Sequence, residues 1–274
     1  MTKRHITNKI SQAFGKFASR EFSKPVQNFI NKKYVKWMGL DMDEFLDPSE
    51  YSTLNALFTR KLLKSRVFDE SESTMISPCD SWVSECGSLE NFDALQIKGM
   101  RYDVRDFLTS HIDSKMHTWI ERGSYVNFYL SPKDYHRYHV PIDMKVSRVV
   151  HVPGKLYPVN IPSLQKRLNL FIENERVVLE CTHNEKRFFL VLVGALNVGK
   201  MVLNFEPAIE TNTQTDEVKV FDYSNVELKK GDELGYFKMG STIILIAEKD
   251  MLEIEVKQDD KVRFGDTIAK VKKS

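Results

Sequence analysis

The stretch Tyr236-Phe237-Lys238-Met239-Gly240-Ser241-Thr242-Ile243-Ile244-Leu245 places a glycine and a serine at the entrance of an apolar run. A turn signal, Lys230-Gly231-Asp232, precedes it, and the run from Ile243 to Ala247 has the length and composition of a buried strand. Gly240 permits unusual backbone dihedrals, and the Ser241 hydroxyl can attack the adjoining carbonyl if a base removes its proton. The stretch is compatible with an ordinary turn into a core strand or with a reactive peptide bond.

Further short segments rich in β-branched and aromatic residues, bounded by Gly, Pro, Asn or Asp, surround this stretch in the sequence. A helical pattern at Ser52 to Leu63 precedes most of them. We therefore predict an α+β fold, with a β-rich body of mainly antiparallel sheets preceded by amphipathic N-terminal helices. The predicted strands lie around Met75–Ile76, Tyr125–Leu130, Val146–Val152, Arg176–Cys181, Phe188–Val193, Glu217–Phe221, Ser241–Ala247 and Leu252–Val256.

The composition is that of an ordinary globular protein, since 42% of the 274 residues are hydrophobic and 28% are charged. The three cysteines, Cys79, Cys86 and Cys181, have no metal-ligand spacing and are odd in number. They support neither a zinc site nor a disulfide framework, and they indicate a reducing compartment. The longest apolar stretch, Phe188 to Leu196, is far shorter than the roughly 20 residues that a membrane-spanning helix needs.

The first 40 residues form a basic segment, with nine Lys or Arg residues against one acidic residue, Glu21. Apolar residues recur at helical spacing on either side of Pro25, which predicts two short amphipathic helices. Their apolar faces either meet an anionic membrane surface or pack on the body, and the sequence leaves both open. No nucleic-acid-binding motif accompanies the charge. We place a domain boundary after this segment, so that residues 1–40 precede a body of residues 41–274.

The densest group of reactive side chains lies between Ser131 and Pro141, where His136 and His139 stand three residues apart. On a strand or loop this spacing points the two rings in different directions, and nearby prolines disfavour a helical metal site. Asp80 follows a predicted strand and a proline, so it is either a turn residue or a partner that fixes an imidazole tautomer. Asp80, His139 and Ser241 form a candidate catalytic set.

Seven motifs in order give the chain its resemblance to the phosphatidylserine decarboxylases, from about residue 50 onward. The chain differs from many members at Leu196, where they have a small polar residue. This position lies outside the catalytic motifs. The motifs are Phe58-Thr59-Arg60, Pro78-Cys79-Asp80, Tyr135-His136-Arg137-Tyr138-His139-Val140-Pro141, Leu156-Tyr157-Pro158-Val159-Asn160, Asn174-Glu175-Arg176, Val193-Gly194-Ala195-Leu196-Asn197-Val198-Gly199 and Gly240-Ser241-Thr242.

The resemblance implies a proenzyme that cuts itself between Gly240 and Ser241, giving chains 1–240 and 241–274. It implies that His139, oriented by Asp80, removes the Ser241 proton, and that Ser241 becomes a pyruvoyl cofactor. That group would form a Schiff base with phosphatidylserine and release CO2 and phosphatidylethanolamine. His136 is then the candidate for the acid that reprotonates the product or for a substrate-positioning residue. No metal is expected.

The resemblance also implies a setting for this chemistry. Because phosphatidylserine resides in an anionic bilayer, we expect residues 1–40 to hold the enzyme peripherally on the cytoplasmic face of a bacterial cell membrane. The two cleavage chains would form a heterodimer, and family members suggest a homodimer of that unit. Two alternatives remain: a pyruvoyl decarboxylase of a soluble amino acid, and a non-catalytic lipoyl-like β-sandwich built from residues 231–272.

Overall fold

The computed structural model describes residues 6–97, 100–113, 115–159, 161–196, 200–213, 216–238 and 241–272. Two N-terminal helices, α1 (Ile6–Ala18) and α2 (Lys24–Met38), confirm the predicted helical pair. Pro25 lies in the first turn of α2, where its missing N–H breaks no helical hydrogen bond, and Gly39 ends the helix at φ 65°. The N-terminal segment is thus helical, as its periodicity predicts.

The helix predicted at Ser52 to Leu63 is much shorter than expected. It is α3 (Leu54–Phe58), capped by the Thr53 side chain, which accepts a hydrogen bond from the Ala56 amide. Beyond it, the Thr59 carbonyl accepts a hydrogen bond from Arg137 Nε at 2.9 Å. The chain leaves the helix there because its carbonyls bind a side chain of the body.

Antiparallel sheets make up the body, which confirms the α+β prediction. Among the described residues, the largest sheet has eight strands in the order β11-β7-β8-β9-β13-β5-β2-β15, and smaller sheets have the orders β10-β12-β6, β1-β16-β14 and β3-β4. The elements are β1 (Thr74–Ile76), β2 (Ser81–Ser88), β3 (Asp93–Ile97), β4 (Met100–Asp103), α4 (Val104–Leu108), α5 (Met116–Ile120), β5 (Ser124–Leu130), β6 (Arg137–His139), β7 (Met144–Val152), α6 (Ile161–Leu164), α7 (Leu170–Glu173), β8 (Arg176–His183), β9 (Lys186–Val193), β10 (Met201–Leu203), β11 (Lys219–Leu228), β12 (Glu233–Phe237), β13 (Ser241–Ala247), β14 (Leu252–Ile254), β15 (Lys261–Val262) and β16 (Thr267–Val271).

The strand β13 is central to the largest sheet and is buried on both faces. Ile243 and Leu245 pack into the hydrophobic cluster on one side, whereas Ile244 and Ile246 pack into the cluster on the other. Successive side chains of a strand point to opposite faces, so a strand covered on both sides needs an unbroken apolar run. This explains the sequence from Ile243 to Ala247.

The N-terminal helices pack on the rest of the chain through both apolar and polar residues, and they leave other apolar residues exposed. Asn8 of α1 donates to the Gly154 carbonyl at 3.2 Å, and buried Asn31 of α2 donates to the Tyr51 carbonyl at 2.9 Å. By contrast, Phe29 is 63% exposed and Trp37 is 81% exposed. The packed side of α2 therefore combines buried polar residues with a hydrophobic cluster that includes Tyr34, Leu57 and Phe58, and Phe29 and Trp37 lie outside this contact. None of the helices in the described part of the chain is both long and apolar enough to cross a bilayer.

The region 231–272 does not form a separate β-sandwich. Its strands join three different sheets: β12 pairs with β6 and β10, β13 and β15 lie in the largest sheet, and β14 and β16 pair with each other beside β1. A carrier module would need these strands to fold together. The lipoyl-like alternative is therefore wrong.

Candidate active site

The register of the largest sheet brings Ser241 and Asp80 to the same edge. Ser241 begins β13 and lies opposite Leu130, the last residue of β5. Trp82 of β2 lies opposite Tyr129 of β5, so Asp80 immediately precedes β2 at this edge. Neighbouring strands are about 4.8 Å apart, which puts Asp80 about 10 Å from Ser241 across two strand spacings.

A loop of residues 131–136 runs beside the segment that leads to Ser241. The loop begins after Leu130, which faces Ser241, and ends at His136, whose carbonyl accepts a hydrogen bond from the Phe237 amide at 2.9 Å. The last residue of β12 is Phe237. Both ends of the loop thus contact the chain that flanks residues 238–240. Gly240 and the Ser241 side chain lie outside the part of the structure that is described.

His139 lies on β6 and has a partner at each ring nitrogen. Its Nδ1 is 2.9 Å from the Gly231 carbonyl oxygen, and its Nε2 is 3.1 Å from the Tyr135 hydroxyl. A carbonyl only accepts, so Nδ1 carries the proton and the lone pair is on Nε2. Burial lowers the pKa of His139 to about 4, against the opposing effect of its hydrogen bond to Gly231. The ring is therefore neutral near pH 7 and presents a basic Nε2.

His136 is fully buried and has the same tautomer. Its Nδ1 donates to the Asp134 carbonyl at 2.8 Å, and the ring centroid lies 4.0 Å from that of Phe58. Burial lowers the pKa of His136 to about 3, and the positive charge of Arg60 acts in the same direction. Its Nε2 has no hydrogen-bond partner among the described residues. This nitrogen is a buried acceptor that a substrate group can meet.

His139 does not donate a hydrogen bond to Asp80, although an orienting contact between them was expected, because each side chain is bound elsewhere. Asp80 pairs with Arg66 at 2.5 Å and accepts the Phe264 amide at 2.8 Å. The Phe264 ring stacks on His139 with centroids 3.6 Å apart. The negative charge of Asp80 nevertheless raises the pKa of His139. Asp80 thus influences His139 through its negative charge and through Phe264, whose amide it binds and whose ring stacks on the imidazole. The hydrogen bond to the Gly231 carbonyl fixes the tautomer of His139.

Several neighbours of the histidines were not predicted from the sequence. Asp134 accepts the Ser131 amide at 2.7 Å, and burial raises the pKa of its carboxyl to about 6. Arg60, only 2% exposed, donates to the Lys133 and Asp134 carbonyls. The only sequence signals were the acid inside the histidine-rich loop and the arginine of the Phe58-Thr59-Arg60 motif. Within the described residues, no three His, Cys, Asp or Glu side chains cluster as metal ligands would.

The Asn174-Glu175-Arg176 motif has a structural role at the same sheet edge. Glu175 accepts a hydrogen bond from His151 Nε2 at 2.8 Å, and its carbonyl accepts the Gly194 amide. Arg176 donates to the backbone carbonyls of Asp106, Phe107, Ile172 and Asn174. The motif therefore ties the loops that flank β8 and β9, the latter being the neighbour of β13.

Comparisons with known proteins identify the family of this chain. The profile of the family described as phosphatidylserine decarboxylase matches residues 54–270. A phosphatidylserine decarboxylase proenzyme of Campylobacter jejuni is 44% identical over 264 residues, covering 94% of this chain and 97% of the relative. The phosphatidylserine decarboxylase proenzyme of Helicobacter pylori strain Shi470 is 44% identical over 269 residues, covering 96% of this chain and 97% of the relative. That of Idiomarina loihiensis is 35% identical, with 97% and 93% coverage. The chain belongs to the phosphatidylserine decarboxylase family.

Proposed function

We propose that this chain is the precursor of a decarboxylase that converts phosphatidylserine to phosphatidylethanolamine and CO2, after cutting itself between Gly240 and Ser241. The observation that carries the proposal is the edge of the largest sheet, where β13 begins at Ser241 beside the loop that ends at His136 and continues into β6, which carries His139; both histidines are buried. The names of the relatives, which are proenzymes of this activity, support it.

Self-processing requires a base, and His139 is our candidate. The Ser241 proton passes to Nε2, the Ser241 oxygen attacks the Gly240 carbonyl, and the peptide becomes an ester. Elimination of the Gly240 carboxylate and hydrolysis with loss of ammonia then leave a ketone at the new N-terminus. The Tyr135 hydroxyl, which donates to Nε2 in this structure, has to turn away before that nitrogen can take the Ser241 proton. Asp80 favours the protonated ring through its charge.

The pyruvoyl group supplies the electron-withdrawing carbonyl that decarboxylation of an amino acid needs, which no ordinary side chain offers. The residues present fit such a group, because His136 leaves an unpartnered basic Nε2 in a buried loop beside the start of β13. We assign to His136 the positioning of the substrate or the transfer of a proton to the product carbon. Because Nε2 is unprotonated in the resting fold, it would first have to take a proton from the substrate ammonium and then return it to that carbon. Phe58, packed on the ring, helps to exclude water from it.

The two product chains are expected to stay together as a heterodimer. The small chain, residues 241–274, would contribute β13, which is hydrogen-bonded to β5 on one side and to β9 on the other. The larger aliphatic side chains of this strand, Ile243, Ile244, Leu245 and Ile246, are all buried, and each contributes about 1.5–3 kcal/mol. Cleavage removes one peptide bond and leaves these contacts in place.

The N-terminal helices are expected to dock the enzyme peripherally on an anionic membrane. The apolar side chains of Phe29 and Trp37 are exposed although polar residues of the same helix are buried. Four lysines lie in this helix, namely Lys24, Lys32, Lys33 and Lys36. Each basic side chain near an anionic surface contributes roughly 1 kcal/mol, in addition to burial of the aromatic rings.

The test is a decarboxylation assay on vesicles. The purified protein should release CO2 from vesicles that contain phosphatidylserine and produce phosphatidylethanolamine, and a Ser241→Ala variant should do neither. Free L-serine serves as the second substrate. Activity on free serine together with none on vesicles would instead establish the soluble-amino-acid alternative.

A further inference from the structure

Arg60 is a buried cation with hydrogen-bonding capacity to spare. Its Nη2 donates to the Lys133 carbonyl at 2.9 Å, but its Nε and Nη1 have no acceptor among the described residues. The guanidinium lies 4.5 Å from the centroid of Phe45, and the side chain is only 2% exposed. Leaving a buried donor unpaired costs about 1–3 kcal/mol, and more for a charged group. A ligand that accepts hydrogen bonds from Nε and Nη1 would remove this cost.

Two tyrosines add donors to the same place. Tyr34 of α2 and Tyr51, each 9% exposed, both interact electrostatically with Arg60. The Tyr34 hydroxyl has no partner in the described part of the chain, whereas the Tyr51 hydroxyl has a backbone hydrogen bond with Leu46 that opposes the effect of burial on its pKa. Burial raises the pKa of Tyr34 to about 12, so this hydroxyl keeps its proton and can donate it to an incoming acceptor. The cluster of Arg60, Tyr34 and Tyr51 is therefore rich in donors and positively charged.

The cluster adjoins the candidate active site. Arg60 Nη2 and His136 Nδ1 both donate to the Asp134 carbonyl, at 3.3 Å and 2.8 Å. Burial lowers the pKa of Arg60, and the negative charges of Asp80 and Asp134 oppose this shift. Neither carboxylate forms a hydrogen bond to Arg60. A group held by Arg60 would thus lie near the His136 ring.

We propose that Arg60, with Tyr34 and Tyr51, is the subsite for the phosphodiester of the lipid substrate, a proposal that rests on the decarboxylase function above. Donors without acceptors, around a guanidinium, suit an oxyanion. The substrate offers two, a carboxylate and a phosphodiester. The carboxylate loses its charge as CO2 departs, so binding it to a buried arginine would stabilise the ground state more than the transition state. The phosphodiester keeps its charge throughout the reaction. Binding it therefore stabilises the ground state and the transition state equally and does not raise the barrier to decarboxylation.

The position of α2 agrees with this assignment. The helix that carries Tyr34 into the cluster also carries the exposed side chains of Phe29 and Trp37. In a docked enzyme the phosphate of a lipid lies at the membrane surface, above the acyl chains. A helix is only about 10 Å across, so a site on its buried side lies within reach of a headgroup that enters from this surface.

The experiment compares Arg60→Gln and Arg60→Lys with the wild type, and uses Arg101→Gln, a half-exposed arginine paired with Glu90, as the matched control. On phosphatidylserine vesicles, Arg60→Gln should raise KM about 10- to 100-fold while kcat changes less than about threefold, because charge-assisted hydrogen bonds to a group with constant charge are lost. Arg60→Lys should recover part of the loss. Intact mass of each variant verifies that cleavage has occurred.

Binding to the uncut Ser241→Ala protein gives a second readout, independent of turnover. Titration calorimetry with glycerophosphoserine should show binding that Arg60→Gln weakens at least about 10-fold and Tyr34→Phe weakens less. Inorganic phosphate should bind more weakly than glycerophosphoserine, and free serine should be insensitive to Arg60. An equal loss for free serine, a fall in kcat at constant KM, or unchanged binding by Arg60→Gln would each overturn the phosphate assignment. Absence of wild-type decarboxylation would instead refute the proposed function.

Discussion

The buried histidines make the stability of this fold depend on pH in a defined direction. Burial lowers the pKa of His139 to about 4 and that of His136 to about 3 in the folded chain. In the unfolded chain a histidine has a pKa of about 6.5. As the pH falls through 6.5, these histidines bind protons in the unfolded state but stay unprotonated in the folded state. The stabilising contribution is complete above pH 6.5 and is lost progressively toward pH 4 and pH 3.

The size of this effect follows from proton linkage. One pKa unit corresponds to about 1.4 kcal/mol, so lowering the pH from 7 to 5 should cost the fold about 2 kcal/mol for each of the two histidines. Carboxylates contribute in addition, so the histidine part must be isolated by difference. The substitution His139→Gln or His136→Gln, which removes the titration, should therefore reduce the difference in unfolding free energy between pH 7 and pH 5 by about 2 kcal/mol.

The assay is urea unfolding of the uncut Ser241→Ala protein at pH 7 and at pH 5, with and without each histidine substitution. The Ser241→Ala background keeps a single chain, so the transition is not complicated by dissociation of fragments. Substitution of the exposed residue His111 is the control and should leave the pH difference unchanged. If the two buried histidines behave like His111, they are not held neutral by burial, and their assignment as basic groups at pH 7 loses its physical support.

Three further predictions concern the proposed function. The chains 1–240 and 241–274 should co-elute in gel filtration without denaturant, because β13 is paired on both sides, and separation at micromolar concentration would contradict this. His136→Gln should still self-cleave but lose at least about 100-fold in decarboxylation on vesicles, as expected for a general acid, and a loss of cleavage instead would give His136 the role assigned to His139. Phe29→Ser with Trp37→Ser should weaken flotation with anionic vesicles about 10- to 100-fold, whereas Val220→Ser, which changes an exposed valine of β11, should not, and equal effects would argue against docking through α2.

The apolar strands were predictable because burial on two faces leaves a strong sequence signal. Ile243 to Ala247 is one example, and the predicted strands from Tyr125, Val146, Arg176 and Phe188 are also confirmed. Strands such as β6 and β12 were not predicted, since they are short and carry charged residues or glycine. Gly235 in β12 is required because a Cβ there would lie 1.9 Å from the Val202 carbonyl oxygen of β10. A contact between distant strands has no local signature.

The site was predictable in its residue types and not in its contacts. The histidine pair and Asp80 are visible in the sequence, but the partners Gly231 and Arg66 are set by packing over long sequence separations. Helical periodicity likewise identifies an apolar face of α2 and leaves open whether the body or the solvent meets it. The structure divides the apolar residues: Ile30 and Tyr34 pack in a hydrophobic cluster with α3, whereas Phe29 and Trp37 are exposed.

The most direct test of the central claim is the intact mass of the purified protein beside that of Ser241→Ala. We predict that the wild type gives two masses, one for residues 1–240 and one for residues 241–274 with a pyruvoyl group in place of Ser241. The variant should give the single mass of the uncut chain. A wild type that remains uncut while it decarboxylates phosphatidylserine, or cleavage of the variant at the same bond, would contradict the account.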